Sequence, residues 1–142
     1  MNLRSRPRSE PSSLSNVYVI DTDVLLDYLY DDPRAISYLE NLSGVMLISA
    51  ITVTELFLGV LEGPERQALD KFLSVFEIVD IDKDIATLAG LYRRDYTRKY
   101  QTTVVDALIA ATAKHKNATL VTLDCKRYPM FRKVVEPYGD NA

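Results

Sequence analysis

The chain has 142 residues, a length that fits one domain of ordinary size. Hydrophobic residues make up 47 % of it and charged residues 26 %, a composition that excludes an intrinsically disordered chain. The formal net charge of −3 argues against a domain that holds nucleic acid through a broadly basic surface, unless bound cations offset some of the acids.

The counts of cysteine and histidine exclude two further kinds of site. With one cysteine, Cys125, and one histidine, His115, the chain cannot form an internal disulfide or build a structural zinc site from these residues. We expect a reducing, cytoplasmic location, since the first residues lack the apolar segment of a secretory signal. Both residues are interpreted as bystanders, because neither has the partner that nucleophilic catalysis requires.

In chain order, residues 1–15 come first and contain five serines, two prolines and three arginines. They show no apolar periodicity, so they are predicted to be a flexible N-terminal tail, and residues 16–142 to be a single domain. Strands and helices alternate within that domain. The predicted elements are strand 17–20, helix 24–30, helix 33–42, strand 45–49, helix 51–61, helix 64–75, strand 77–79, helix 83–100, helix 104–116, strand 118–123 and strand 134–135.

The predicted strands are short, continuously apolar runs, which is typical of strands covered on both faces. Their alternation with helices predicts an α/β fold, a three-layer α/β/α sandwich with a mostly parallel central sheet. Asp23 is the predicted N-cap of the first helix. Residues 44–61 are as apolar as a short membrane span, but they contain Glu55 and two glycines and are interpreted as a strand, a turn and a buried helix.

Four carboxylates adjoin elements that must be largely buried. Asp21 and Asp124 each end a predicted strand, Glu55 is the single charge in residues 45–61, and Asp106 lies in an apolar helix. An unpaired carboxylate there costs on the order of several kcal/mol to ionise, so it needs a basic partner or a shared cation. Because the carboxyl ends of parallel strands meet at one edge of a sheet, we expect these acids to converge and to bind a cation.

Each acid also has a simpler interpretation. Asp21 can cap a helix, Asp106 can favour a first helical turn through the helix dipole, and Asp124 can be a turn residue. For Glu55 the alternative is a buried ion pair with one of the adjacent arginines at 93–94. The simpler interpretations together require four unrelated coincidences, which favours the shared site.

Four segments of the sequence resemble the PIN-domain family, and specifically the VapC-like toxins of type II toxin–antitoxin pairs. These segments are 19–26 (VIDTDVLL), 49–56 (SAITVTEL), 106–113 (DALIAATA) and 120–124 (LVTLD). Their order and spacing match the family from about residue 17 to residue 136. Members of the family commonly have a glycine several residues before the third acid. This chain has no glycine in the corresponding stretch, 100–105.

The resemblance implies a PIN-like, Rossmann-like nuclease domain and an endoribonuclease activity that depends on Mg²⁺ or Mn²⁺. It implies that the catalytic, metal-binding acids are Asp21, Glu55, Asp106 and Asp124. Its supporting residues would be the hydroxyls of Thr22 and Thr122 and a candidate fifth acid, Asp23, where the family often has asparagine. It further implies a homodimer and a cognate antitoxin that silences the site. No membrane association is expected, because residues 44–61 are interpreted as a strand, a turn and a buried helix.

The substrate must also be held near the acids. Four basic residues at the end of the long predicted helix are candidates for contacts with RNA phosphates: Arg93, Arg94, Arg98 and Lys99. Tyrosines at 92, 96 and 100 share one face of that helix and are interpreted as a core or dimer stripe rather than as a platform for bases. A hydrolytic cut by water predicts 5′-phosphate and 3′-hydroxyl products.

Two other functions are compatible with parts of the pattern. Asp21 and Asp23 after a strand also resemble the nucleophile loop of haloacid-dehalogenase-like phosphatases, in which Asp21 would be phosphorylated. That alternative leaves Glu55 and Asp106 unexplained. The second is a PIN-fold binding module that does not cut its partner.

Overall fold

The computed structural model describes residues 16–139, so the predicted tail lies outside the described residues. Within that range the strands are β1 Val17–Ile20, β2 Val45–Ser49, β3 Glu77–Val79, β4 Thr119–Val121 and β5 Val134–Val135. The helices are α1 Thr22–Leu29, α2 Pro33–Asn41, α3 Ala50–Phe57, α4 Pro64–Leu73, α5 Lys83–Tyr100 and α6 Val104–His115. A 3-10 turn, Cys125–Arg127, follows β4.

The strands form one parallel sheet in the order β3-β2-β1-β4-β5. β1 is central, with Val19 paired to Leu47 of β2 on one side and to Leu120 of β4 on the other. The chain builds outward from β1 to β3 and then crosses over to β4, so the strand order reverses beside β1. In open parallel sheets, ligand sites form at such a reversal, beyond the carboxyl ends of the strands.

Helices cover both faces of the sheet, which confirms the predicted three-layer sandwich. In β1, Ile20 packs in a core with α1, α2 and α4, whereas its neighbour Val19 packs in a second core with α5 and α6. The same alternation holds in β4, where Val121 and Leu120 belong to opposite cores. This two-sided burial explains why the strands are continuously apolar in the sequence.

Several predicted boundaries are wrong, for local reasons. α1 begins at Thr22, because its N-cap is Asp21 and not Asp23 as predicted; the Asp21 side chain accepts a hydrogen bond from the Thr22 N–H. α3 ends at Phe57 instead of 61, and Leu58 is 90 % exposed, so the segment after Phe57 is not the buried helix predicted. Among residues 16–139, none of the helices combines the length and the apolar character needed to cross a bilayer.

Candidate active site

The candidate site lies at the carboxyl edge of the sheet, where β1 and β4 end side by side. Asp21 follows β1, and its N–H donates to the carbonyl of Val121 at 2.9 Å, which fixes it against β4. Asp106 approaches from the first turn of α6, whose N-cap Thr103 accepts a hydrogen bond from the Asp106 N–H. Both acids are buried, Asp21 at 1 % exposure and Asp106 at 7 %.

The Asp21 carboxylate accepts hydrogen bonds from four donors. Its Oδ1 accepts from the Thr22 N–H at 2.7 Å. Its Oδ2 accepts from the hydroxyls of Thr122 at 2.8 Å and Tyr128 at 2.6 Å. A third donor to Oδ2 is Nη2 of Arg127, at 2.7 Å. Four donors on one buried side chain fix its orientation and offset the cost of burying it.

Arg127 lies at the centre of the acids. Beyond Asp21, its Nη2 is 3.0 Å from Oδ2 of Asp23, and its Nη1 is 3.5 Å from Oδ1 of Asp106. Its Nε is 4.0 Å from a carboxylate oxygen of Asp124. One guanidinium therefore faces four carboxylates, and three of them are among the acids predicted from the sequence.

Glu55 reaches the same region from α3 and is held by a hydroxyl. Its Oε1 accepts a hydrogen bond of 2.5 Å from Thr22, whose Oγ1 also lies 3.2 Å from that of Thr52. The alternative ion pair with an arginine of α5 is wrong. Arg93 instead donates through Nε to the carbonyl of Thr102, and Arg94 pairs with its neighbour, the acid at position 95.

Asp124 and Asp23 hold the turn that follows β4. Asp124 is exposed, and its Oδ1 accepts from the Lys126 N–H, so it caps the 3-10 turn while its other oxygen faces the site. Oδ2 of Asp23 accepts from the Leu123 N–H at 3.1 Å. The structure thus gives Asp124 the turn role considered as an alternative and places it at the rim of the acid group.

The surroundings of the site raise the pKa of two of the acids, Asp23 and Asp106. Burial, together with the charge of Asp21, raises the pKa of Asp23 to about 6, although Arg127 and two backbone N–H groups oppose that rise. Burial also raises the pKa of Asp106, with Arg127 acting against it and the charges of Asp21 and Glu55 adding to it. The single positive charge of Arg127 therefore does not offset the negative charge of all the acids around it.

The raised pKa of Asp23 predicts a pH dependence of stability. A carboxyl whose folded-state pKa lies near 6, above its ordinary 3.8, binds more protons when folded, so its contribution to stability is lost as the pH rises between these values. In metal-free protein, we expect the free energy of unfolding of the Asp23→Asn variant, relative to that of wild type, to rise by about 2–3 kcal/mol from pH 4 to pH 7. Urea unfolding across that range in chelator measures the difference, and a gap that does not change with pH would contradict the prediction.

The donor set suits a hard divalent cation, although the acids are not closed around a single point. Carboxylate and hydroxyl oxygens are the ligands that Mg²⁺ and similar ions prefer. Across residues 16–139, no group of three acidic, histidine or cysteine side chains is arranged to hold a metal ion as it stands, and Arg127 lies between the acids. The oxygens are thus of the kind that a divalent cation prefers, and the guanidinium of Arg127 lies among them.

The basic residues predicted to bind RNA lie on α5, outside the acid group. Arg94 is exposed and paired with Asp95, while Arg98 and Lys99 are exposed in the last turn of the helix. The tyrosines of this helix contact one another, with ring centroids 6.5 Å apart for Tyr92 and Tyr96. Tyr92 also packs against the core under α5 and α6, as the core interpretation predicts.

Cys125 lies in the 3-10 turn but takes no part in the contacts among the acids. Burial and the neighbouring Glu136 raise the pKa of its thiol to about 11, so it is protonated at neutral pH. A protonated thiol is a poor nucleophile, which agrees with the interpretation of Cys125 as a bystander.

Sequence reasoning missed Arg127 and Tyr128. Burial and the charge of Asp21 raise the pKa of the Tyr128 phenol, so it stays protonated and donates to that carboxylate. Both residues follow Asp124 closely, and no motif in the sequence marks either of them as part of the site. The available signal is electrostatic: several buried acids at one edge require a cation, and Lys126 and Arg127 lie two and three residues after Asp124.

Comparison with known proteins agrees with this geometry. The family model for the PIN domain matches residues 18–134. This chain belongs to the PIN-domain family. Among relatives of the PIN-domain chain, "Ribonuclease VapC19" of Mycobacterium tuberculosis is 34 % identical over 124 residues, covering 84 % of this chain and 98 % of that protein. "Ribonuclease VapC1" of Methanocaldococcus jannaschii is 35 % identical over 116 residues, covering 81 % of each.

Solved structures show the same PIN-domain architecture. A toxin–antitoxin complex from Klebsiella pneumoniae aligns with a TM-score of 0.76 at 30 % identity, covering 86 % of this chain and 98 % of that one. A VapBC2 complex from Rickettsia felis, bound to a DNA fragment from its promoter, aligns with a TM-score of 0.67 at 27 % identity, covering 84 % and 97 %. This chain is therefore a VapC-like PIN domain.

Proposed function

We propose that this chain is an endoribonuclease that cleaves RNA by metal-dependent hydrolysis and that it is the toxin of a toxin–antitoxin pair. The observation that carries the proposal is the group of buried carboxylates where β1 and β4 end, led by Asp21 and Asp106. VapC proteins named as ribonucleases match almost over their whole length, which supports the same activity here.

The proposed ligands of Mg²⁺ or Mn²⁺ are Asp21, Glu55, Asp106 and Asp124, with Asp23 as a further candidate. A bound dication would supply the positive charge that lowers the pKa of the attacking water and offsets charge on the phosphate during an in-line displacement. The P–O3′ bond breaks, the water oxygen stays on phosphorus, and O3′ leaves as a hydroxyl. The products are 5′-phosphate and 3′-hydroxyl ends.

The surrounding residues hold these oxygens in place. Thr122 and Tyr128 are buried and donate to Oδ2 of Asp21, so that oxygen cannot rotate away from the site. Thr22 donates to Glu55 across the gap between α1 and α3. Preorganised groups of this kind lower the reorganisation needed when charge develops on the reacting phosphate.

Single-stranded RNA suits such a site better than a duplex does, because an unpaired backbone can bend toward the buried acids. Arg98 and Lys99 are exposed in the last turn of α5, just before the loop that leads to α6. We propose that these two residues, with Arg93 and Arg94, contact phosphates on the approach to the site.

The proposed partners are a cognate antitoxin and a second copy of the chain. One structure that resembles this fold is a toxin–antitoxin complex and another is VapBC2 bound to promoter DNA, which supports an antitoxin for this chain as well. Three large apolar side chains are strongly exposed, as expected of a surface that is covered by another protein. Among residues 16–139 they are Tyr30, Leu58 and Leu61, and we propose that a partner protein covers them. A cytoplasmic location is part of the same proposal.

The phosphatase alternative receives no support from the geometry. Oδ2 of Asp21 accepts from three side chains, so Oδ1, which accepts from the Thr22 N–H, is the oxygen left to act as a nucleophile, and no other feature of the site is specific to that reaction. That alternative also gives no role to Glu55 or Asp106.

The proposed function is tested by incubating the purified chain with a random-sequence single-stranded RNA, with Mn²⁺ or with EDTA. We expect cleavage with Mn²⁺, no cleavage with EDTA, and fragments whose 5′ ends are labelled by ligation methods that require a 5′-phosphate. Cleavage that persists in EDTA, or fragments ending in 2′,3′-cyclic phosphate, would reject metal-dependent hydrolysis. Intact RNA under all conditions would favour the non-catalytic binding module.

A further inference from the structure

The position of Arg127 conflicts with direct metal binding by the acids around it. Its Nη2 lies 2.7 Å from Oδ2 of Asp21 and 3.0 Å from Oδ2 of Asp23, which are distances of charge-assisted hydrogen bonds. Its Nη1 approaches Asp106 at 3.5 Å. A dication bound to these carboxylates would need the volume and the electron pairs that the guanidinium now uses.

Oδ2 of Asp21 shows the conflict most clearly, because three donors already share this oxygen. A carboxylate oxygen offers about two lone-pair directions, so a metal that binds through Oδ2 must replace at least one of these donors. Two of the donors are fully buried: Thr122 is 0 % exposed and Tyr128 is 1 % exposed. The side chain of Arg127 is 36 % exposed, so it is the donor with room to leave.

The Arg127 side chain is also incompletely hydrogen-bonded. Its Nε is buried and has no hydrogen-bond partner among the described residues, with Asp124 too distant at 4.0 Å. Its backbone belongs to a 3-10 turn of three residues rather than to a long helix. A buried donor without a partner carries a desolvation penalty that is relieved when the side chain turns toward water.

We propose that Arg127 is a built-in counter-ion of the acid group, which competes with the dication and must leave the acids for the metal to bind. This inference rests on the metal site of the proposed function. In metal-free protein the guanidinium offsets part of the repulsion among the acids. The same contact weakens metal affinity, because each metal ion that binds must first break the ion pairs of Arg127.

The test compares Mn²⁺ binding by wild type and by Arg127→Met, which removes the charge and keeps much of the length. Lys126→Met is the matched control, because Lys126 is the exposed neighbour in the same turn. Isothermal titration calorimetry should show Mn²⁺ affinity about 5- to 150-fold higher in Arg127→Met, the usual range for coupling between two binding events. The control should match wild type. Without metal, Arg127→Met should melt at a lower temperature, and Mn²⁺ should raise its Tm by more than that of wild type.

Each outcome decides a separate point. Equal or weaker Mn²⁺ affinity in Arg127→Met overturns the competition while leaving the metal site intact, and no binding by either protein rejects both. Tighter binding by the variant in a chain that does not cleave RNA supports the competition and rejects the ribonuclease.

If Arg127→Met does not fold, the wild type still decides the question by NMR. The chemical shift of the Arg127 Nε–H should move toward that of a solvent-exposed guanidinium as Mg²⁺ is added. An unchanged signal at saturating Mg²⁺ overturns the inference.

Discussion

Replacing Asp106 with asparagine is expected to lower RNA cleavage by at least about 100-fold, the scale on which the loss of one charge-stabilising group reduces catalysis. The protein should remain folded, because burial already raises the pKa of this carboxyl and an uncharged amide relieves that penalty. The contacts that position α6 are kept, since the cap from Thr103 goes to the backbone N–H. Gel-based cleavage assays and thermal unfolding measure the two effects.

The matched control is Asp84→Asn. Asp84 occupies the first turn of α5 as Asp106 occupies the first turn of α6, but Asp84 is exposed. The control should cleave RNA at the wild-type rate. If Asp106→Asn cleaves as fast as this control, Asp106 is not part of the catalytic site.

Replacing Asp21 with asparagine is expected to lower both activity and stability. The amide can accept hydrogen bonds through one atom only, so its NH₂ group would oppose either the Thr22 N–H or the three donors on Oδ2. Arg127 would lose its shortest ion pair. Breaking a buried ion pair by removing one partner costs about 3–5 kcal/mol. We expect a loss of this size in urea unfolding, together with loss of cleavage.

Asp80→Asn is the control for this variant, because Asp80 follows β3 at the same edge of the sheet and is exposed. It should be close to wild type in both assays.

The two active-site variants are expected to differ in kind: Asp106→Asn loses activity alone, whereas Asp21→Asn loses activity and stability. A stable Asp21→Asn protein would mean that the hydrogen bonds to this carboxylate contribute little to folding.

The sequence predicts the sheet and its helices well because burial on both faces leaves a clear pattern. The continuous apolar run of β1 and the apolar spacing along α5 each have one simple structural solution. Predictions fail where polar side chains decide the outcome. α1 begins two residues early because Asp21 supplies its cap, and β4 stops early because the Leu123 N–H donates to Asp23 rather than to a strand.

The candidate site is partly predictable for the same reason. A carboxylate at the end of a buried strand, such as Asp21, is visible in a sequence because its neighbours are apolar. Arg127 is not visible in this way, since it lies in the polar segment 124–127 that reads as an ordinary surface turn. Its role depends on a contact with a residue 106 positions earlier in the chain, which no local pattern encodes.

That separation has a consequence during synthesis on the ribosome. At about 5–20 residues per second, Arg127 is added roughly 5 to 20 s after Asp21. Until then the nascent chain carries Asp21, and after residue 106 also Asp106, without the guanidinium that pairs with them; Tyr128 is added only afterwards. A polypeptide that stalls or is cut before β4 thus lacks the donors that offset the cost of burying these acids. Truncated products of this chain should be unstable and inactive, so that the nuclease matures only once its last strands have been made.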